Sequence, residues 1–289
     1  MVPYWGDPEL LRATVRSVLA QSDDRWRLTV LDDAYPDPWA GEYLASLGDP
    51  RVRYVRNESN QGVAASFARC VELSGLEAVV ICGCDDLLGP HYVATVLEAL
   101  DAHPGADLVQ PGVAVVGADG QPARTLADTV KQRLIRPRGE GTRELEGERL
   151  VTSLLHGDWL YWPSLAFRRD VLVRTPFRTE FSVALDLALV VDLVCAGSRL
   201  VVVPTTCFTY RRHAASVSSV ELLDGARFAG EREYFALART IVSALGWRRA
   251  ARAARLHVTS RLHALTLLPA AVRRAPRAVP ALLRHAVGS

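Results

Sequence analysis

The chain has 289 residues, 49% of them hydrophobic and 23% charged, a composition that excludes wholesale disorder and suffices for one large domain or two small ones. No run of eighteen apolar residues occurs, which excludes a predicted membrane-spanning helix, and the first residues lack the basic and then apolar regions of a secretory signal. The net charge of +2 hides an asymmetry: residues 234–289 hold ten Arg and no Asp or Glu, so the preceding 233 residues carry 24 basic and 32 acidic groups, a net of −8. An acidic body with a basic C-terminal tail is not the pattern of a uniformly basic nucleic-acid binder; no nucleic-acid partner is predicted for the whole. The tail alone could face anionic lipid, nucleic acid or an acidic partner surface.

In chain order, residues 2–5 form a short apolar start. Asp7-Pro8 then opens a helix, with Asp capping the free N–H groups and Pro fitting the first turn. Leu11, Val15, Val18 and Leu19 follow at helical spacing. Residues 27–31 read as a strand ending at Asp32-Asp33, residues 34–38 as a turn-rich loop, and residues 51–55 as a second strand. Residues 62–73 are helical. Residues 78–82 are a continuous apolar run of the kind found in central parallel strands, ending at Gly83-Cys84-Asp85-Asp86. A helix follows at 90–100, and residues 119–147 read as a polar loop or insertion.

Trp159, Tyr161 and Trp162 form an aromatic patch. Residues 183–196 are helical with Gly197 as the stop, and 200–203 and 207–211 read as two strands. The remainder is helical, broken by Pro269, Pro276 and Pro280. Strands alternating with helices predict a parallel α/β sheet, in which ligands bind beyond the carboxyl ends of the strands. Asp32 and Asp33, residues 57–62, and Asp85 and Asp86 all fall there. Five cysteines (Cys70, Cys82, Cys84, Cys195, Cys207) form no C-x-x-C pair, which predicts free thiols and a reducing cytoplasm. Cys82 and Cys84 read as small buried side chains rather than zinc ligands.

The segments VPYWGDPELLRATVRSVLAQ, LTVLDDAYPD, NESNQGVAASFARC, CGCDDLLGPHYV, LDLALVVDLVCAG and YRRHAASVS, in this order and spacing, resemble the family 2 glycosyltransferases. The resemblance runs from Val2 to about Ser219. It implies a GT-A type (Rossmann-like) α/β fold, with a mixed, mainly parallel sheet flanked by helices. The predicted catalytic domain covers residues 1–220 and a basic helical C-terminal region residues 221–289. It further implies inverting transfer of a sugar from a nucleotide-diphosphate sugar, most simply a UDP-sugar, to a hydroxyl of a polysaccharide or lipid-linked glycan in cell-envelope synthesis. Relatives have more apolar residues before the Val-Pro-Tyr segment, so the apolar run is expected to continue upstream of Met1.

Site residues follow from the matched positions. Asp85 and Asp86 resemble an Asp-x-Asp-type motif. Two carboxylates 4 Å apart repel by about 4 kcal/mol at an effective dielectric of roughly 20, which Mg²⁺ or Mn²⁺ would relieve. The resemblance places Asp85 near the donor ribose and Asp86 on the metal, with His213 completing the metal site; the position two before Asp85, often acidic in relatives, is Gly83. Asp32, or alternatively Asp33, matches the acid that meets the base, with Pro3 and Tyr4 beside it and Tyr4 able to stack; turn capping is the competing role. Asn60 and Gly62 open a helix whose amides favour anions. Arg211 is a phosphate ligand, and Arg69 a further candidate.

Asp186 matches the second acid of a Glu-Asp motif and is the expected general base, with Leu185 replacing the Glu and Asp192 its competitor. Trp159, Tyr161 and Trp162 either stack on acceptor sugars or belong to the core. Arg248, Arg252 and Arg255 lie on one helical stripe that could rest on anionic lipid, giving a cytoplasmic protein peripheral to the inner membrane face. Two rivals remain: a protein that keeps the fold and binds nucleotide sugars without turnover, and a sugar-1-phosphate nucleotidyltransferase, which would need a Gly-, Arg- and Lys-containing loop where this chain has Trp5-Gly6-Asp7-Pro8.

Overall fold

The computed structural model describes residues 1–123, 129–181, 183–212 and 226–287. Its N-terminal part is a three-stranded parallel sheet of β1 (Val2–Tyr4), β2 (Leu28–Asp32) and β3 (Val52–Arg56). Helix α1 (Pro8–Leu19) connects the first two strands. Asp7 caps it as expected, accepting from the Glu9 N–H at 2.7 Å. Helix α2 (Trp39–Ser46), absent from the sequence reading, and α3 (Val63–Leu73) complete the unit.

Residue Met1 joins this sheet to the next. Its amino group donates to the Val80 carbonyl at 2.8 Å, and its carbonyl accepts from Cys82 N–H at 2.9 Å. Strand β4 (Ala78–Val80) thus runs beside β1, so the ends of β1, β2 and β4 open on one edge. The second sheet also contains β5 (Leu87–Leu88), β6 (Leu108–Val116), β7 (Arg143–Leu145), β8 (Ala166–Arg168) and β9 (Leu200–Arg211). Its β6–β9 pair is parallel, while β4–β8, β6–β8, β5–β9 and β7–β9 are antiparallel. The α/β class and mixed sheet agree with expectation. The parallel character belongs mainly to the first sheet; in the second, β5, β7 and β8 run antiparallel to the strands they pair with.

Helices α4 (Tyr92–Ala102), α5 (Gly147–His156), α6 (Arg169–Arg174) and α7 (Leu185–Cys195) flank the sheets. A π-helical turn spans Lys131–Ile135 and a 3₁₀ turn Trp162–Ser164. The strands expected at 200–203 and 207–211 are one strand, which passes through a register shift opposite Gln110 and Gly112.

C-terminal helices α8 (Ala226–Ala244) and α9 (Arg248–Leu256) are part of the body's core, to which they give Tyr234, Phe235, Ala238, Val242, Ala250, Ala253 and Ala254. Helices α10 (Val258–Arg274) and α11 (Val279–Val287) close a smaller core around Phe228, Ala264, Ala271 and Leu282. Pro269 lies within α10 and does not end it, contrary to expectation; Pro276 opens a 3₁₀ turn and Pro280 sits in the first turn of α11, where a missing N–H costs nothing. The expected stripe of Arg248, Arg252 and Arg255 lies within α9, which ends at His257, whose φ of 25° separates it from α10. Among the described residues no helix is long and apolar enough to cross a membrane. The expected domain boundary at 220/221 lies outside the described residues.

Candidate functional site

At the end of β2, Asp32 and Asp33 are both buried and both organise backbone. Asp32 Oδ1 accepts from Tyr35 N–H at 2.7 Å, and its Oδ2 accepts from Tyr54 Oη–H at 2.6 Å and Arg56 Nη1 at 2.7 Å. Asp33 Oδ1 takes Asn57 Nδ2 at 2.7 Å and Gln61 N–H at 2.9 Å, while its Oδ2 takes Gly62 N–H at 2.9 Å. These bonds are those of the competing role expected for Asp32, since its oxygens serve as turn and strand caps. Asn60 is exposed and also accepts from Gly62 N–H, at 3.1 Å. Gly62, at φ 81°, precedes α3 in a conformation that a side chain would strain. Arg69 is paired with Glu72 at 2.7 Å on the surface, away from this role.

Pro3 is half-buried, but Tyr4 is only 1% exposed and its ring packs on Tyr35 at 5.2 Å. Burial removes Tyr4 from stacking on a base. Trp5 stands next to it, 50% exposed and edge-on to Tyr35 at 5.5 Å, and is the aromatic face that the N-terminal edge offers to solvent.

The second cluster forms at the turn after β4. Asp86 is buried; its carbonyl accepts from Thr14 Oγ1 at 2.8 Å and its Oδ1 from Arg211 N–H at 2.8 Å. Its other carboxylate oxygen is buried with no hydrogen-bond partner among the described residues. Burial, and then the neighbouring Asp85, push the Asp86 carboxyl well above the usual carboxylate range. A Cβ at Gly83 would lie 2.7 Å from both Asp85 Oδ1 and Asp86 Oδ2, so the two carboxylates face one small space above a residue with no side chain. That pair of hard oxygens, one without a partner, fits a divalent cation. Among the described residues no group of three or more His, Cys, Asp or Glu is placed to hold a metal, and His213 lies outside them. All five cysteines are free.

Arg211 fastens this turn to the end of β9: besides its N–H bond to Asp86, its Nε donates to the Asp85 carbonyl at 3.0 Å. One residue earlier, Tyr210 is pushed up to about 12, by burial first and then by Asp86, Asp85 and Asp186, against an opposing effect of Arg212. All three carboxylates thus act on one phenol. Asp186 lies in the first turn of α7, where its Oδ1 accepts from Leu187 N–H at 2.8 Å. Its competitor Asp192 faces elsewhere and is held by Arg178 at 2.6 Å.

Tyr161 abuts Tyr210, with ring centroids 5.5 Å apart, and is half-buried. Trp159 and Trp162 are core residues rather than open stacking platforms. Trp159 is 2% exposed with its Nε1 bonded to Ser153 Oγ at 3.1 Å, and Trp162 packs on Phe67, Phe167 and Phe177. Sequence reasoning missed Thr14 as part of the site and took in Tyr210 only as the first residue of the YRRHAASVS segment. A polar Thr14 inside the apolar stripe Leu11, Val15, Val18 was the available signal for the first.

The family described as Glycosyl transferase family 2 has a sequence model that matches residues 1–158. The putative colanic acid biosynthesis glycosyl transferase WcaA of Escherichia coli (strain K12) is 28% identical over 98 residues, 33% of this chain and 35% of WcaA. The putative glycosyltransferase EpsE of Bacillus subtilis (strain 168) is 26% identical over 132 residues, 45% of this chain and 47% of EpsE. An uncharacterized protein of Sinorhizobium fredii, y4gI, is 35% identical over 112 residues, 38% of this chain and 12% of y4gI. The matches thus span less than half the length of these relatives. The crystal structure of S. aureus TarS 1-349 in complex with UDP-GlcNAc superposes with a TM-score of 0.64 at 13% identity, covering 99% of this chain and 89% of that one, which shows a shared fold.

Proposed function

We propose that this chain, which belongs to glycosyl transferase family 2, transfers a sugar from a nucleotide-diphosphate sugar to a hydroxyl acceptor and inverts the anomeric centre. The observation that carries this reading is the Asp85–Asp86 pair, whose oxygens face one small space beside Gly83 and which Arg211 ties to the end of β9, with Asp186 acting electrostatically on the adjacent Tyr210. Such a site can hold a diphosphate through a cation on one side and take a proton on the other. Asp85 and Asp86 would hold Mg²⁺ or Mn²⁺; bound there, the ion neutralises charge on the leaving diphosphate.

Asp186 takes the proton of the acceptor hydroxyl as that oxygen bonds to the anomeric carbon. The bond from that carbon to the diphosphate breaks on the opposite face, and the diphosphate leaves with the electron pair. One displacement from one face inverts the configuration. Arg211 keeps the carboxylates in register with β9. The donor nucleotide is UDP in this reading, supported by the TarS complexes with UDP-GlcNAc and UDP on the same fold. The acceptor is a growing polysaccharide or lipid-linked glycan, supported by the colanic acid assignment carried in the name of WcaA.

A peripheral contact with anionic membrane belongs to the same proposal. Helix α10 exposes Val258, Leu262, Leu265 and Val272 at helical spacing, within the arginine-rich, acid-free residues 234–289.

Calorimetric titration with UDP, GDP and dTDP, in Mn²⁺ and then in EDTA, tests the donor site. One diphosphate should bind only with Mn²⁺, and Asp86→Asn should abolish that binding. Asp186→Asn should keep it while lowering turnover by about 10²–10⁴-fold. A folded protein that binds none of the three overturns the transferase reading.

A further inference from the structure

A cavity of about 720 Å³ lies apart from the carboxylate turn, with none of Asp85, Asp86 and Asp186 in its lining. Its walls come from the middle of β6, the bulged part of β9, and the segment between the π-helical turn and β7. Tyr161 and Trp159 line it, and so do three arginines, Arg136, Arg138 and Arg143, with Gln132. Glu140 is the acid among the lining residues, and it is exposed.

The arginines are placed at a cost. Arg136 and Arg143 are close enough that Arg143, after burial, lowers the Arg136 pKa. Arg136 reaches the Gln132 side-chain oxygen through Nη1 at 3.2 Å, and its guanidinium lies 5.6 Å from the Trp159 ring centroid. Arg143 Nη1 donates to the Pro137 carbonyl. The Nε atoms of both arginines are buried with no hydrogen-bond partner among the described residues. A Cβ at Gly139 would lie 2.5 Å from Arg143 Cδ, so the loop has a glycine where the Arg143 side chain passes. Like charges brought together, partly desolvated and left with unused donors are unfavourable unless an anion joins them.

The position of the cavity says whose anion it is. Tyr161 belongs to the cavity wall and also abuts Tyr210, which feels Asp186. A molecule with a hydroxyl at Asp186 can therefore extend past Tyr161 into the arginine cavity. We propose that Arg136 and Arg143 bind a phosphate group carried by the acceptor, so that this protein glycosylates a phosphate-bearing alcohol. The guanidinium fork suits a tetrahedral oxyanion, and two forks suit it better than one. This inference rests on the transferase reading above and adds the acceptor class to it. The phosphate can be borne by a lipid or by a water-soluble polyol or sugar; the chemistry recognised is the same.

Two soluble probes separate these sources: sn-glycerol 3-phosphate and geranyl phosphate, with glycerol and geraniol as neutral controls. Binding of each is measured by calorimetry to the wild-type chain and to the Arg136→Gln/Arg143→Gln double variant, with UDP and Mn²⁺ titrated in parallel and folding checked by circular dichroism. At least one phosphate should bind the wild type, neither neutral control should, and the double variant should lose about tenfold or more in phosphate affinity with UDP affinity unchanged. Tighter binding of geranyl phosphate assigns a lipid-borne group; equal or tighter binding of glycerol 3-phosphate assigns a soluble one.

The proposal is overturned if neither phosphate binds, if a folded double variant binds phosphate as well as the wild type, or if its UDP affinity falls in step with its phosphate affinity. The last result would give the arginines to the donor's diphosphate. A wild-type protein that fails to bind UDP defeats the donor reading instead, and the phosphate titrations remain a separate readout.

Discussion

The backbone N–H of Arg211 donates to Asp86 Oδ1 at 2.8 Å, while the other Asp86 oxygen is buried without a partner among the described residues. The carboxylate is thus held on one side by the protein and open on the other. Because burial and Asp85 disfavour its charge, removing that charge should not harm the protein free of ligand. Asp86→Asn keeps an oxygen for the Arg211 N–H. Its unfolding free energy in urea is expected within about 1 kcal/mol of wild type, or above it. A loss of several kcal/mol would mean that the ionised carboxylate supports the fold and is not reserved for a ligand.

Gly83 can be read in the same geometry. A methyl group there would lie 2.7 Å from both Asp85 Oδ1 and Asp86 Oδ2. A side chain at this position has no room unless Asp85 and Asp86 move. Gly83→Ala should weaken Mn²⁺-dependent UDP binding by about tenfold or more and cost about 1 kcal/mol in stability, since the displaced oxygens cannot both face one cation. Unchanged calorimetric binding would show that the two carboxylates do not share an ion.

Asp32 separates a structural carboxylate from a ligand-binding one. It accepts from Tyr35, Tyr54 and Arg56 at 2.6–2.7 Å and is fully buried. Asp32→Asn replaces one acceptor with an amide that faces existing donors. The expected cost is about 1–3 kcal/mol in urea unfolding, with the lower end favoured because Arg56 is partly exposed. UDP affinity should change little at a temperature where the variant is folded. The reverse pattern, intact stability with lost UDP affinity, would return Asp32 to the base-binding role.

These residues also mark where the sequence was readable. Helix α1 was legible because Asp7-Pro8 and the Leu11–Val15–Val18 spacing act within the helix itself. The joining of the Asp85–Asp86 turn to Arg211 of β9 was legible only through a motif pattern spanning distant segments. Asp32 was not, because a strand-end carboxylate looks alike whether it caps a turn or meets a ligand. Its partners Tyr54 and Arg56 lie on the next strand, and the register that aligns Asp32 with Arg56 decides the matter. Trp159 and Trp162 stayed open between two roles in the sequence for a related reason: aromatic rings fill cores and line sugar sites equally well. The arginine cavity was hidden altogether, since in a chain with 34 basic residues three arginines in a polar loop carry no signal until the fold closes over them.

The C-terminal helices predict an acid-sensitive stability. His285, fully buried, lies 2.6 Å through Nε2 from Ser260 Oγ, whose hydroxyl donates to Glu231 Oε2. That hydroxyl has one proton, so Nε2–H of a neutral ring must donate to it, leaving Nδ1 buried without a partner among the described residues. Burial lowers the ring to about 4, opposed by Glu231 and reinforced by His257, Arg232 and Arg261, which face it from α8 and around the start of α10.

In the unfolded chain the ring returns to 6.5. Above that pH both states are neutral and the full stability is present. As pH falls below it, the unfolded chain binds a proton that the folded one refuses, so stability declines until about pH 4. At pH 5 the loss from this ring is about 2 kcal/mol. His285→Gln offers a donor in place of Nε2–H that does not titrate. Urea unfolding at pH 7.5 and pH 5 should show wild type losing about 2 kcal/mol more than the variant. Parallel losses in the two proteins would mean that the ring accepts its proton in the folded state.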